Sequence, residues 1–137
     1  MKKLVGILMV SFIVLAFKSS ETSVGIDFQS ITLATAKTKA MTAKKYIFID
    51  AYASWCGPCK QMAATSFKDP AVGKLFNDKF INLKIDCEKD PDGYDVSATY
   101  KVRAYPTLLV IDETGKLIKQ VVGFQTAEKL IALANSL

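Results

Sequence analysis

Apolar and polar positions along the chain fall into short runs of contrasting period. Tyr46-Ile47-Phe48-Ile49-Asp50-Ala51 is aromatic and β-branched, the composition of a strand. Phe80-Ile81-Asn82-Leu83-Lys84-Ile85-Asp86 alternates, as a strand does. Thr107 to Ile111 is an apolar strand. Lys116 to Val122 is the next, after a hairpin turn at Asp112-Glu113-Thr114-Gly115. Helical periods lie between the strands. Phe28, Ile31, Leu33, Ala34 and Met41 predict a weakly amphipathic helix within 28–45. Lys60-Gln61-Met62-Ala63-Ala64 carries good helix formers on to about Thr65. Asp69-Pro70 reads as an N-cap followed by proline at the first helical position, with Val72, Leu75 and Phe76 on one face. Tyr94 to Tyr100 is a short helix, and Thr126 caps a last one whose apolar face is Leu130, Ile131, Leu133, Ala134 and Leu137. Residues 19–26 read as a linker and 88–93 as a loop.

Strands that alternate with helices require parallel crossovers, and the closing hairpin adds an antiparallel pair. The fold class expected is therefore α/β, a mixed central sheet with helices on both faces. At 137 residues the chain makes one ordinary domain, and half its residues are hydrophobic, enough for a packed core.

The first residues differ in kind. Met1-Lys2-Lys3 is a short basic start, and Leu4 to Phe17 is apolar apart from Gly6 and Ser11. That length fits a signal segment and is short for a spanning helix. Residues 1–20 are expected to be a signal peptide or an N-terminal membrane anchor, and 27–137 the folded domain. Cleavage after Ala16 would remove Lys2 and Lys3 and lower the net charge from +5 to +3. The expected location is an exported one, the bacterial periplasm, with membrane association only through the N-terminus. The remaining lysines are scattered among acids rather than striped, so no nucleic-acid partner is expected.

The chemistry concentrates at Trp55-Cys56-Gly57-Pro58-Cys59-Lys60, where a strand hands over to a helix. A helix start carries unpaired N–H groups and partial positive charge, which favour a thiolate at Cys56. Cys59 follows about one turn later, on the same side. A Cys-x-x-Cys in this setting reads as a redox pair. A zinc site would need four Cys or His ligands. The chain has no histidine and one further cysteine, Cys87, which reads as a small hydrophobe at a strand end. No metal or other cofactor is expected.

Those six residues match the active-site sequence of thioredoxins residue for residue, and the resemblance runs from about Lys44 to Leu137. Asp50, six residues before Cys56, resembles the family's buried carboxylate. Tyr105-Pro106-Thr107 resembles its cis-proline loop, and Gly123 its late glycine. Thr65 to Val72 is more similar to thioredoxin-like domains of the cell envelope, such as the C-terminal domain of the electron conductor DsbD. The resemblance implies a thioredoxin fold and a catalytic set of Cys56, Cys59 and Asp50, with Asp50 taking the proton from Cys59. Trp55, Gly57, Pro58, Tyr105 and Pro106 would bind substrate. Trp55 also reads as plain packing beside the motif. The lysine that family members keep near the aspartate corresponds to about Asn82, so this partner is expected to be missing; Lys84 would share its face.

The function expected is an exported thiol–disulfide oxidoreductase that reduces envelope proteins. Its partners would be protein disulfides and a membrane electron donor, and the protein itself a monomer. The alternatives are a disulfide oxidase or isomerase of secreted proteins, and a non-catalytic peptide-binding module of the same fold.

Overall fold

The structure, a computed structural model, describes residues 24–137; the basic and apolar N-terminal segment lies outside these. In chain order it contains α1 (Leu33–Ala43), β1 (Tyr46–Tyr52), α2 (Gly57–Ala64), a short 3₁₀ turn (Ser66–Lys68), α3 (Pro70–Lys79), β2 (Phe80–Asp86), α4 (Gly93–Thr99), β3 (Thr107–Ile111), β4 (Leu117–Val122) and α5 (Ala127–Asn135). The sheet order is β2-β1-β3-β4. β1 and β2 are parallel, and the other two pairs are antiparallel.

Alternate residues of β1 feed two separate cores. Ile47, Ile49 and Ala51 pack with Ala36 and Ala40 of α1 and Val96 of α4. Phe48 faces the other way, among Met62 of α2, Val72 and Phe76 of α3 and Leu130 of α5. This second core is aromatic: Phe48 meets Phe76 edge-on at 4.8 Å, and Phe28 meets Phe67 at 5.1 Å. Each such pair adds about 0.5–1.5 kcal/mol beyond its burial. Because helices cover both faces, β2 is buried on both, and only Lys84 is partly exposed. Asn82 and Asp86, the polar members of its alternating sequence, are buried with the rest.

The first helix starts later than its apolar spacing suggested. Thr32 caps it, accepting from Thr35 N–H at 3.2 Å, and the residues it buries are Ala36 and Ala40, while Met41 is exposed. Phe28 belongs to an extended lead-in that packs on the opposite core. This lead-in also reaches back into the expected linker. Ile26 N–H donates to the Phe67 carbonyl at 2.8 Å, and Asn77 Nδ2 donates to the Gly25 carbonyl at 3.1 Å. Gly25 (φ +93°) lies against Gly73 of α3 so closely that a Cβ on Gly73 would meet its backbone. The remaining caps agree with the sequence: Asp69 accepts from Ala71 and Val72 N–H, and Thr126 from Lys129 N–H.

Candidate active site

β1 ends at Tyr52, and the chain turns through Ala53, Ser54 and Trp55 to set Cys56 at the N-cap of α2. Pro58 occupies the first turn, where its missing N–H removes no helical bond. The Cys56 Sγ takes the place of a capping oxygen and accepts from Cys59 N–H at 3.2 Å. Cys56 and Cys59 are joined as a disulfide, with Cα atoms 5.3 Å apart. Both are nearly sealed, 3% and 2% exposed, so their difference is one of position: Cys56 caps the helix, and Cys59 lies inside its first turn. Ala53, Tyr52 and Tyr105 pack around them.

Asp50 projects from β1 on the same sheet face as Phe48. It is fully buried, and neither carboxylate oxygen has a hydrogen-bond partner. In the parallel register it lies beside Lys84. The Lys84 ammonium stands 3.7 Å from Asp50 Oδ2, an ion-pair distance too long for a hydrogen bond. The same ammonium lies 4.6 Å from the centroid of the Tyr52 ring. Burial raises the Asp50 pKa from 3.8 to about 7, with Lys84 pulling the other way. A lysine partner for the aspartate is therefore present, supplied by Lys84, while Asn82 turns its amide nitrogen to Phe76 O and Asn77 Oδ1.

Tyr105-Pro106 is a cis peptide. It precedes β3, and the Pro106 carbonyl accepts from Gly123 N–H at 2.8 Å. Gly123 has φ +91°, a backbone that favours glycine. The segment after it is tied to α2 and the 3₁₀ turn: Gln125 N–H donates to Met62 Sδ at 3.4 Å, and Ser66 Oγ to the Gln125 carbonyl at 2.7 Å. Trp55, 67% exposed, meets Tyr105 edge-on at 5.9 Å. Tyr105 thus packs on the disulfide and meets Trp55, with Gly57 and Pro58 in the first turn of α2.

Three contacts here span the sequence and left no local signal in it. The Trp55 indole donates to Glu88 Oε2 at 2.9 Å. Ser54 Oγ donates to the buried Asp86 at 2.6 Å. Cys87, half-buried, packs with Tyr105 in the first core, and burial pushes its thiol up to about 11.

The thioredoxin family model matches residues 28–136. The chain belongs to the thioredoxin family. It is 34% identical over 101 residues to a thioredoxin of Mycoplasma genitalium, covering 69% of this chain and 85% of that protein. Among solved structures it resembles a candidate disulphide-isomerase from Bacteroides thetaiotaomicron (37% identity, TM-score 0.71, 81% of this chain and 92% of that one). It also resembles the DsbD C-terminal domain of Neisseria meningitidis in its oxidised form (25% identity, TM-score 0.62, 75% and 90%). As a thioredoxin-like protein it is a disulfide oxidoreductase, and protein disulfides are the substrates of that class.

Proposed function

We propose that this protein is an exported reductant of envelope-protein disulfides and that Cys56 is its attacking thiolate. One observation carries the chemistry: Cys56 caps α2, with its sulfur accepting a helix N–H, and Cys59 one turn on. In the dithiol form, the Cys56 thiolate attacks one sulfur of a partner disulfide. A Cys56–partner bond forms, and the partner's other sulfur leaves as thiolate. Cys59 then loses its proton to Asp50 and attacks Cys56 Sγ. This closes the Cys56–Cys59 bond and releases the partner's second thiol. Two electrons pass from the dithiol to the partner. An electron donor, which we place in the membrane, must return them.

Asp50 suits the proton step because burial brings its pKa to about 7, where a carboxylate both takes and gives a proton. Lys84 keeps that pKa from rising further. Gly57, Pro58, Trp55, Tyr105 and Pro106 form the surface against which the partner lies. Two features support an envelope role: the basic and apolar start of the sequence, and the likeness to a DsbD C-terminal domain. A reducing direction is supported by Gly57-Pro58, the dipeptide of thioredoxin.

Two experiments test the reading. Cys59→Ser should trap partners as mixed disulfides through Cys56; a binding module would hold partners without covalent capture. The reduction potential of the Cys56–Cys59 pair should lie near that of thioredoxin, about −270 mV. A value near −120 mV would instead make the protein an oxidant of secreted chains. The likeness to a candidate disulphide-isomerase favours a second reading, in which the same mixed disulfide resolves within the partner and rearranges its pairing. Recovery of correctly paired product from scrambled substrate would separate isomerisation from net reduction.

A further inference from the structure

Glu88 takes no part in the thiol chemistry, yet it holds the residue next to it. The Trp55 indole N–H donates to Glu88 Oε2 at 2.9 Å, across 33 positions of sequence. The Trp55 ring also meets Tyr105 edge-on at 5.9 Å. Trp55 is 67% exposed beside sulfurs that are nearly sealed. It is a large apolar plate at the mouth of the disulfide, anchored twice. A plate already held in place loses less freedom when a partner lies across it.

The carboxylate has its own anchorage. Glu88 N–H donates to Asp86 Oδ1 at 3.0 Å, and Asp86 N–H to Asp90 Oδ2 at 2.8 Å. Asp90 N–H returns to the Asp86 carbonyl at 3.0 Å. The turn after β2 thus fixes where the Glu88 side chain begins. This turn is also where the acids gather: Asp86, Glu88, Asp90, Asp92 and Asp95 stand against the single Lys89, in a chain of net charge +5. Of these, Glu88 is the one whose carboxylate bonds the exposed indole. Asp86 is buried on Ser54, and Asp92 caps Leu33 N–H at 2.8 Å.

We propose that Glu88 is a positioning and specificity-determining residue. It pins Trp55 and places negative charge on that side of Cys56, so the protein selects disulfides flanked by a basic side chain. A partner segment that crosses Trp55 to reach Cys56 passes the Glu88 carboxylate. A lysine or arginine there gains an ion pair, and a glutamate meets repulsion. The inference rests on the thiol–disulfide exchange assigned above and on neither direction of electron flow.

The test uses two disulfide-bonded peptides that differ only in a Lys or a Glu beside one cysteine. Trp55 is the chain's one tryptophan, so its fluorescence reports the pin directly. The reduced protein should reduce the Lys peptide about two- to five-fold more efficiently than the Glu peptide, the size of an exposed charge contact. The preference should fade in ~0.5 M salt. Glu88→Gln, which keeps an acceptor for the indole, should bring the ratio to one and leave the Trp55 anisotropy unchanged. Glu88→Ala should bring the ratio to one and lower the anisotropy. Glu88→Lys should invert the ratio. An unchanged ratio in Glu88→Gln, or an unchanged anisotropy in Glu88→Ala, overturns the proposal. Failure of the unmodified protein to react with either peptide would refute the oxidoreductase reading itself, and the anisotropy of Glu88→Ala would still decide whether the pin exists.

Discussion

Two aspartates stand on neighbouring strands of one sheet face, and both are buried. Asp50 on β1 is 0% exposed and Asp86 on β2 is 3% exposed. Their acidities move in opposite directions. Asp50 has no hydrogen-bond donor and only a lysine at 3.7 Å, and burial lifts its pKa to about 7. Burial also works against the charge of Asp86. There the Ser54 hydroxyl and the Glu88 N–H prevail, holding the carboxyl below its usual range. Burial raises the energy of a charge, and donors decide whether the charge survives. Asp86 is thus an anion whose contacts brace the turn carrying Glu88, and Asp50 is a carboxyl whose acidity burial brings near neutral pH, as the proposed proton step requires.

The largest change follows from removing the attacking sulfur. Cys56→Ser should reduce exchange with a model disulfide to the background rate, measured by release of peptide thiol. Asp50→Asn should come next. It should slow closure of the Cys56–Cys59 disulfide by about 10²-fold at pH 8, the ordinary contribution of a general base, as seen in a rapid-quench assay. The same change should stabilise the oxidised protein at pH 8. The native pKa of Asp50 lies above the unfolded value of 3.8. Its favourable contribution is thus complete below pH 3.8 and is lost as pH rises through about 7. The gain from Asp50→Asn is bounded by about 4 kcal/mol above pH 7 and vanishes near pH 4. Denaturant unfolding at the two pH values measures it.

Asp86→Asn should do the reverse. A lowered native pKa contributes stability above the unfolded value, and that stability is lost as pH falls through the native one. The substitution should cost about 1–2 kcal/mol at pH 7 and much less in acid, by the same unfolding experiment. The smallest effect should be that of Lys84→Met. It removes the one charge that opposes the burial of Asp50, and should move the pH midpoint of disulfide closure upward by on the order of one unit.

Residues next to one another in sequence announced most of this site. Cys56 and Cys59 needed only the strand before them and the helix after them. Asp50 and the cis bond at Pro106 followed from resemblance, not from periodicity. What the chain concealed depends on register. The sequence put a lysine two places from the expected position, and only the pairing of Asp50 with Lys84 shows that it reaches the carboxylate. Glu88 meets Trp55 because the turn after β2 folds back over the end of β1, a contact with no local pattern. The early start expected for α1 failed for a related reason. Phe28 and Ile31 are apolar because they pack against opposite cores, not because they share a helical face.

The most direct test of the contrast is the titration of the Asp50 side-chain carboxyl carbon by ¹³C NMR in the oxidised protein, with Asp86 followed in the same spectra. The account predicts a midpoint near pH 7 for Asp50 and one below the ordinary carboxylate range for Asp86. A midpoint near 4 for Asp50 would show that its charge is fully compensated in the fold, and would remove it as the base that serves Cys59.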